Sequence, residues 1–219
     1  MNKNEYFVNN HLGKINEDNI DKFIKYHKID TGEFRDLHVG STFNILYGGE
    51  EKTIMIAGFD FRYNNGTNKH HIVCIPISNG FYMKYTNEYN THGPYAESYN
   101  HTKFIPLVNK ELEKSFFDHL LSSTEILESK DGLAPFKCQA VLMSETEIYG
   151  KAIYGENDMS HQLPLFKIME HFAPTHFNYV WLRNSYHDLK HFCYCGVHNE
   201  PYYSNAWDIQ SVYPRFLIG

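Results

Sequence analysis

From Phe34 onward the chain is a succession of short segments rich in β-branched and aromatic residues, cut apart by Gly, Asn and Asp. This pattern restricts the fold more than any other feature. Val, Ile, Thr, Tyr and Phe suit a pleated, half-buried surface, and Tyr47-Gly-Gly49 and Asn64-Asn-Gly66 are turn sequences of the kind that separate strands. Seven strands are expected, at Thr42–Tyr47, Thr53–Phe59, His70–Ile77, Gln139–Met143, Tyr179–Leu182, His191–Val197 and Tyr213–Ile218. Two helical patterns interrupt them. Leu112, Phe116 and Leu120 recur at a spacing of four within Leu107–Leu121, and Ser144-Glu-Thr-Glu147 has the form of a capping box. A third apolar segment, Leu163–Phe172, also suits a short helix. Strands and helices do not alternate regularly, so the expected class is α+β with short strands, two or three helices and long loops, not a doubly wound sheet.

Residues 1–32 differ from the rest. They are polar and Asn-rich, and carry one helical signal in which Ile20, Phe23, Ile24 and His27 share a face. The division expected is an N-terminal arm with an amphipathic helix (1–32) and one domain (33–219). The helix either docks on another protein or packs on its own domain.

Six segments in order carry a resemblance. They are Phe34-Arg-Asp-Leu-His-Val-Gly40, Ile56-Ala-Gly-Phe-Asp60, His70-His-Ile-Val-Cys-Ile-Pro76, Leu142-Met-Ser-Glu-Thr-Glu-Ile-Tyr-Gly150, Trp181-Leu-Arg183 and Val212-Tyr-Pro-Arg-Phe-Leu-Ile-Gly219. Together they resemble a family of domains common in phage and prophage structural genes of low-GC Gram-positive bacteria, over about residues 33–219. The order Pro214-Arg215 departs from that family's Arg-Pro close, and the stretch Ser185–Tyr203 is unusually rich in His and Cys. The resemblance implies a C-type-lectin-like domain, related to that of formylglycine-generating enzymes. It also implies a virion component, as head decoration, tail accessory or adhesin, made in the host bacterial cytoplasm and partnered by other capsid or tail proteins. Fold alone does not fix function. Of the shared residues, Trp181 reads as a large packed aromatic, and Arg183 and Arg215 as planar forks that pin loop carbonyls or carboxylates.

Composition excludes several classes. The hydrophobic content of 42%, with 17 tyrosines and 16 phenylalanines, is incompatible with intrinsic disorder. A net charge of −6 without a Lys/Arg cluster argues against nucleic acid as partner. No apolar run approaches the roughly 18 residues of a membrane span, and the opening Met1-Asn-Lys-Asn-Glu-Tyr6 has no apolar stretch of the secretory type.

The unusual local concentration is His187-Asp-Leu-Lys-His191-Phe-Cys193-Tyr-Cys195-Gly-Val-His198. Imidazole and thiolate are preferred zinc ligands. On a strand, His191, Cys193 and Cys195 point to one side, with His187, His198 or His71 able to add a further donor. Against zinc stands the Cys-x-Cys spacing, which is not the usual knuckle. The alternative is that both cysteines are small core residues. A bound zinc would either staple this region or, with an open position, support hydrolysis. The Tyr/Asn-rich stretch Tyr82–Tyr99 has a paratope-like composition, and Tyr82, Tyr85, Tyr89 and Tyr95 are its candidate ligand-binding residues. A displayed virion structural protein, a host-surface carbohydrate-binding module and a zinc-dependent hydrolase are therefore the three functional readings, the last with least in its favour.

Overall fold

The computed structural model describes residues 8–77, 93–169, 179–187, 190–206, 208 and 210–219. The described strands, in chain order, are β1 (His11–Lys14), β2 (Thr42–Tyr47), β3 (Glu50–Phe59), β4 (Ile72–Pro76), β5 (Leu120–Leu121), β6 (Ser123–Ser129), β7 (Gly132–Cys138), β8 (Ala140–Leu142), β9 (Val180–Ser185), β10 (His191–Cys195), β11 (Pro201–Asn205) and β12 (Pro214–Ile218). The helices are α1 (Ile20–Tyr26), α2 (Ile105–Phe116), α3 (Glu145–Tyr149) and α4 (Pro164–Ile168). Strands outweigh helices and the class is α+β.

The main sheet runs β1-β2-β3-β4-β12, and the far edge of β12 is shared by β5 and β8. β4 and β12 are buried along their whole lengths, with Phe216 opposite Cys74 and Leu217 opposite Val73. Side chains alternate across a strand, so the sheet feeds two separate cores. Ile54, Ile56, Ile72, Cys74, Phe216 and Ile218 enter the first, together with Leu112 and Phe116 of α2. Met55, Val73, Ile75 and Leu217 enter the second, with Ile148 of α3 and Phe166 of α4. The central strands thus read as unbroken apolar runs because both of their faces are covered. Gly58 lets α4 approach β3: a Cβ there would lie 2.9 Å from the Pro164 ring.

The N-terminal segment is not a separate arm from Val8 onward. β1 pairs in parallel with β2, and Ile15, Ile20, Ile24 and Ile29 are buried in the first core. Ile20 and Ile24 of α1 thus find their cover on the same domain.

The helix expected to reach Leu121 ends at Phe116. Phe117 adopts φ +46°, which breaks the helical path, and Leu120 and Leu121 become β5 against Leu217 and Ile218. The Ser144 capping box forms in full, with the Ser144 hydroxyl accepting from the Glu147 N–H (3.1 Å) and the Glu147 carboxylate accepting from the Ser144 N–H (3.1 Å). The β6–β7 hairpin was not expected, since Pro135 and Lys137 blur the alternation of β7. A second small sheet, ordered β11-β10-β9, joins the main one through the Arg183 N–H, which donates to the Met143 carbonyl (2.9 Å).

Candidate functional site

Where the two sheets meet, the structure gathers charge. Arg62 follows β3, Glu125 lies on β6, Glu147 on α3, Arg183 on β9 and Arg215 on β12. All are buried, Glu125, Glu147 and Arg215 completely. Glu147 is the hub. Its carboxylate accepts from Arg183 Nη1 (3.0 Å) and Nη2 (3.1 Å), from Arg215 Nε (2.9 Å) and from Arg62 Nη2 (3.3 Å). Glu125 accepts from Arg62 (2.6 Å), from Arg215 and from the Ser123 hydroxyl. Asp158 pairs with Arg183 Nε (3.0 Å), and the Ser160 hydroxyl accepts from Arg183 (3.0 Å) and Arg62 (2.9 Å). Arg183 also donates to the Leu142 carbonyl (2.9 Å), so its fork holds the end of β8 and two carboxylates together.

Three guanidinium groups face three carboxylates here, and that balance makes the burial tolerable. A buried charge is costly unless paired and hydrogen-bonded. Burial pushes the Glu147 carboxyl up, but the Arg183, Arg215 and Arg62 charges outweigh it and hold the group well below the ordinary carboxylate range. Glu125 is lowered in the same way, burial being overcome by Arg215 and Arg62. The cavity bordering Asp158 and Arg183 has a volume of only about 10 Å³, roughly the room for one water. Chemically the cluster can clamp five elements together; it offers no space for a substrate.

The expected metal donors are distributed differently. Within the described residues no group of three or more His, Cys, Asp or Glu side chains gathers to hold an ion. Cys193 and Cys195 do share one side of β10, as the alternation requires, and both are fully buried. Cys193 lies beside Glu145, and burial followed by that carboxylate pushes its thiol well up. The Glu145 carboxylate accepts in addition from the backbone N–H groups of Ile153, Tyr154 and Gly155, each at 3.0 Å, so it anchors a loop. Cys195 donates towards the Asn199 side-chain oxygen (3.3 Å), and burial pushes its thiol up to about 11. His191 is half-buried and stands edge-on to the stacked rings of Tyr186 and Tyr203, at 6.0 and 5.7 Å. His187 and His198 are exposed.

His71 is committed elsewhere. It stands just before β4, burial pushes its ring towards the neutral form, and its bonds suit that form. Nδ1 donates to the Lys69 carbonyl (2.8 Å) and Nε2 accepts from the Arg62 N–H (3.1 Å). A ring using both nitrogens this way has no lone pair left for a metal.

Thiols held protonated by burial are inert. Native protein treated with Ellman's reagent is therefore expected to show no rapid reaction at Cys193 or Cys195, and full reaction once unfolded in guanidinium. A fast native thiol mapped to either position by mass spectrometry would contradict this placement.

Of the candidate ligand-binding tyrosines, Tyr82, Tyr85 and Tyr89 lie outside the described residues. Tyr95 is not a surface contact. It is fully buried, and its hydroxyl accepts from the Leu142 N–H (3.2 Å). Trp181 is likewise buried, edge-on to Phe192 and Tyr194 at 6.2 and 6.1 Å.

Sequence reasoning missed Arg62, Glu125, Asp158 and Ser160, and did not place Glu147 among the arginines it meets. The partners lie between 2 and 98 positions apart along the hydrogen bonds that join them, and no local periodicity marks such a set. A pocket of about 430 Å³ lies between α1 and the segment that leads into β4. On its wall His119 meets Asp21 at 2.8 Å, and His70 meets Asp60 at 2.7 Å.

Comparison with protein-family models, with curated proteins and with solved structures gave no match to this chain.

Proposed function

We propose that the chain is a structural protein of a bacteriophage particle, displayed on its surface as a capsid decoration or tail accessory on a C-type-lectin-like frame. The ordered motifs Ile56–Asp60, His70–Pro76, Leu142–Gly150, Trp181–Arg183 and Val212–Gly219 supply the resemblance behind this reading. One observation supports a structural over a catalytic use of them. The motif residues Glu147, Arg183 and Arg215, with Arg62 just after the first of these motifs, are consumed by one another in a buried clamp. Groups paired in this way hold a frame rigid and leave the intervening segments to make contacts, which is how a displayed domain divides its labour.

Quantitative mass spectrometry of purified particles tests the proposal. Many copies of the chain per particle are expected. Its absence from particles purified out of a lysate that contains it would sink the reading.

A second reading, a host-surface carbohydrate-binding module, is favoured by exposed tyrosines on the small sheet. No observation on the described residues favours a zinc-dependent hydrolase.

A further inference from the structure

A neutral histidine ring has one proton for its two nitrogens. A ring that meets an acceptor at each nitrogen therefore makes both bonds only as the imidazolium. His119, just before β5, is in that position. Its Nδ1 lies 3.1 Å from the Gly219 carbonyl oxygen, which follows β12. Its Nε2 lies 2.8 Å from the Asp21 carboxylate in the first turn of α1. A carbonyl and an ionised carboxylate have no proton to give. The neutral ring keeps one of the two bonds and turns a bare lone pair towards the other oxygen, which repels it.

The two bonds are not equally replaceable. Gly219 is held to His119 a second time, its N–H donating to the His119 carbonyl (3.1 Å), so that pair stays in register whatever the ring does. The Asp21 side chain is 75% exposed against 23% for His119. Lys25 stands four positions further along α1, where the side chains of i and i+4 meet on a helix. Asp21 thus has water and Lys25 to turn to, and is the partner given up when the ring loses its proton.

The tie matters to α1 because little else holds it. The helix is seven residues long, with Ile20 and Ile24 in the first core, and two turns alone are not stable in water. The helix and His119 share the wall of the 430 Å³ pocket. That wall also carries Asp30 after α1, Lys69 and His70 before β4, and Asp118 beside the ring. With Asp21 and Lys25 these are the charged and titratable groups facing His119 among the described residues. Three carboxylates stand against two ammonium groups, and His70 is occupied with Asp60 at 2.7 Å. The balance does not oppose an imidazolium.

We infer that His119 is a pH-operated latch, which ties α1 to the β5–β12 edge of the main sheet when protonated and releases it as pH rises, loosening one wall of the pocket. Imidazole changes charge between roughly pH 5 and 8. Asp21, held below its ordinary value of 3.8 chiefly by the bond from His119, stays charged throughout that range. The latch is therefore closed at the acid end and open at the alkaline end. This goes beyond the particle role and does not rest on it.

Amide hydrogen exchange of the full chain, corrected for the intrinsic effect of pH, reads the latch. From about pH 5.5 to about pH 8, protection of the α1 amides is expected to fall about two- to ten-fold, as for one lost hydrogen bond. The amides of β3 and β4 are expected to stay level. Asp21→Ala removes the partner at the surface, and its α1 protection is expected to sit at the lower level at both pH values. Nitrogen-15 NMR of the unaltered protein reads the ring without relying on any variant, and is expected to show both His119 ring nitrogens protonated at the acid end and one at the alkaline end. His27 is the other imidazole on α1, its Nδ1 2.7 Å from the Arg35 carbonyl oxygen. A fall of the same size in Asp21→Ala would assign the effect to His27 and overturn the inference. So would α1 protection that stays level in the unaltered protein, or a His119 ring whose charge does not change over the range.

Discussion

Glu147→Gln is expected to destabilise the fold by about 3–5 kcal/mol, the cost of removing one partner from a buried ion cluster. The substitution preserves shape but removes the charge that Arg183, Arg215 and Arg62 share. Arg215 is completely buried and Arg183 nearly so, so neither can turn to water for compensation. With a typical domain stability of roughly 5–15 kcal/mol, such a loss is a large share of the total. Urea unfolding followed by tryptophan fluorescence measures it. Glu51→Gln is the control, because Glu51 meets Lys14 at 3.3 Å on the open surface, and its midpoint is expected to stay where it is. Equal midpoints for both variants would mean that Glu147 is not the hub of the clamp.

Acidification is expected to unfold the protein through Glu147 and Glu125. Burial alone would raise Glu147 and Glu125, yet the arginines around them hold both below their ordinary value of 4.5. A carboxyl lowered in the folded state contributes stability that is fully present above the unfolded value. That stability is lost as pH falls from about 4.5 towards the folded value. Each such group contributes at most about 1.4 kcal/mol per pH unit, so two together give up to about 2.8 kcal/mol per unit in that window. Urea midpoints taken from pH 7 down to pH 3 should be flat at first and then fall steeply below about pH 4.5. In Glu147→Gln the acid slope should be shallower, since one of the two titrating groups is gone. An unchanged slope would assign the acid transition to other carboxylates.

The two predictions concern residues that the sequence does not single out as a set. Arg183 and Arg215 were legible as planar forks in search of acceptors, but their acceptors were not. Glu125 sits in the β6–β7 hairpin, a segment with no clear alternation, and Asp158 and Ser160 lie in a loop. The signal that could have pointed to them is chemical: three arginines inside otherwise apolar stretches demand carboxylates nearby. The His/Cys stretch shows the opposite case. There the local density of donors was plain, and the alternation that places Cys193 and Cys195 on one side of β10 was correct. Their neighbours, Glu145 and Asn199, come from elsewhere in the fold and from the following turn.

The sequence by itself determined most of the strands, the capping box at Ser144 and the α+β class, because β-branched and aromatic runs, turn residues and caps act within some ten residues of chain. It also held the apolar face of α1, though not what that face covers. Only the tertiary structure decided that α1 closes over its own core, that Leu120 leaves its helix to pair with Ile218, that Tyr95 is an interior residue and that His119 meets both Asp21 and Gly219. The physical reason is one of range. Hydrophobic periodicity is a local property, whereas pairing a buried charge, covering an apolar face and bringing two acceptors to one ring depend on which distant segments the closed chain brings together.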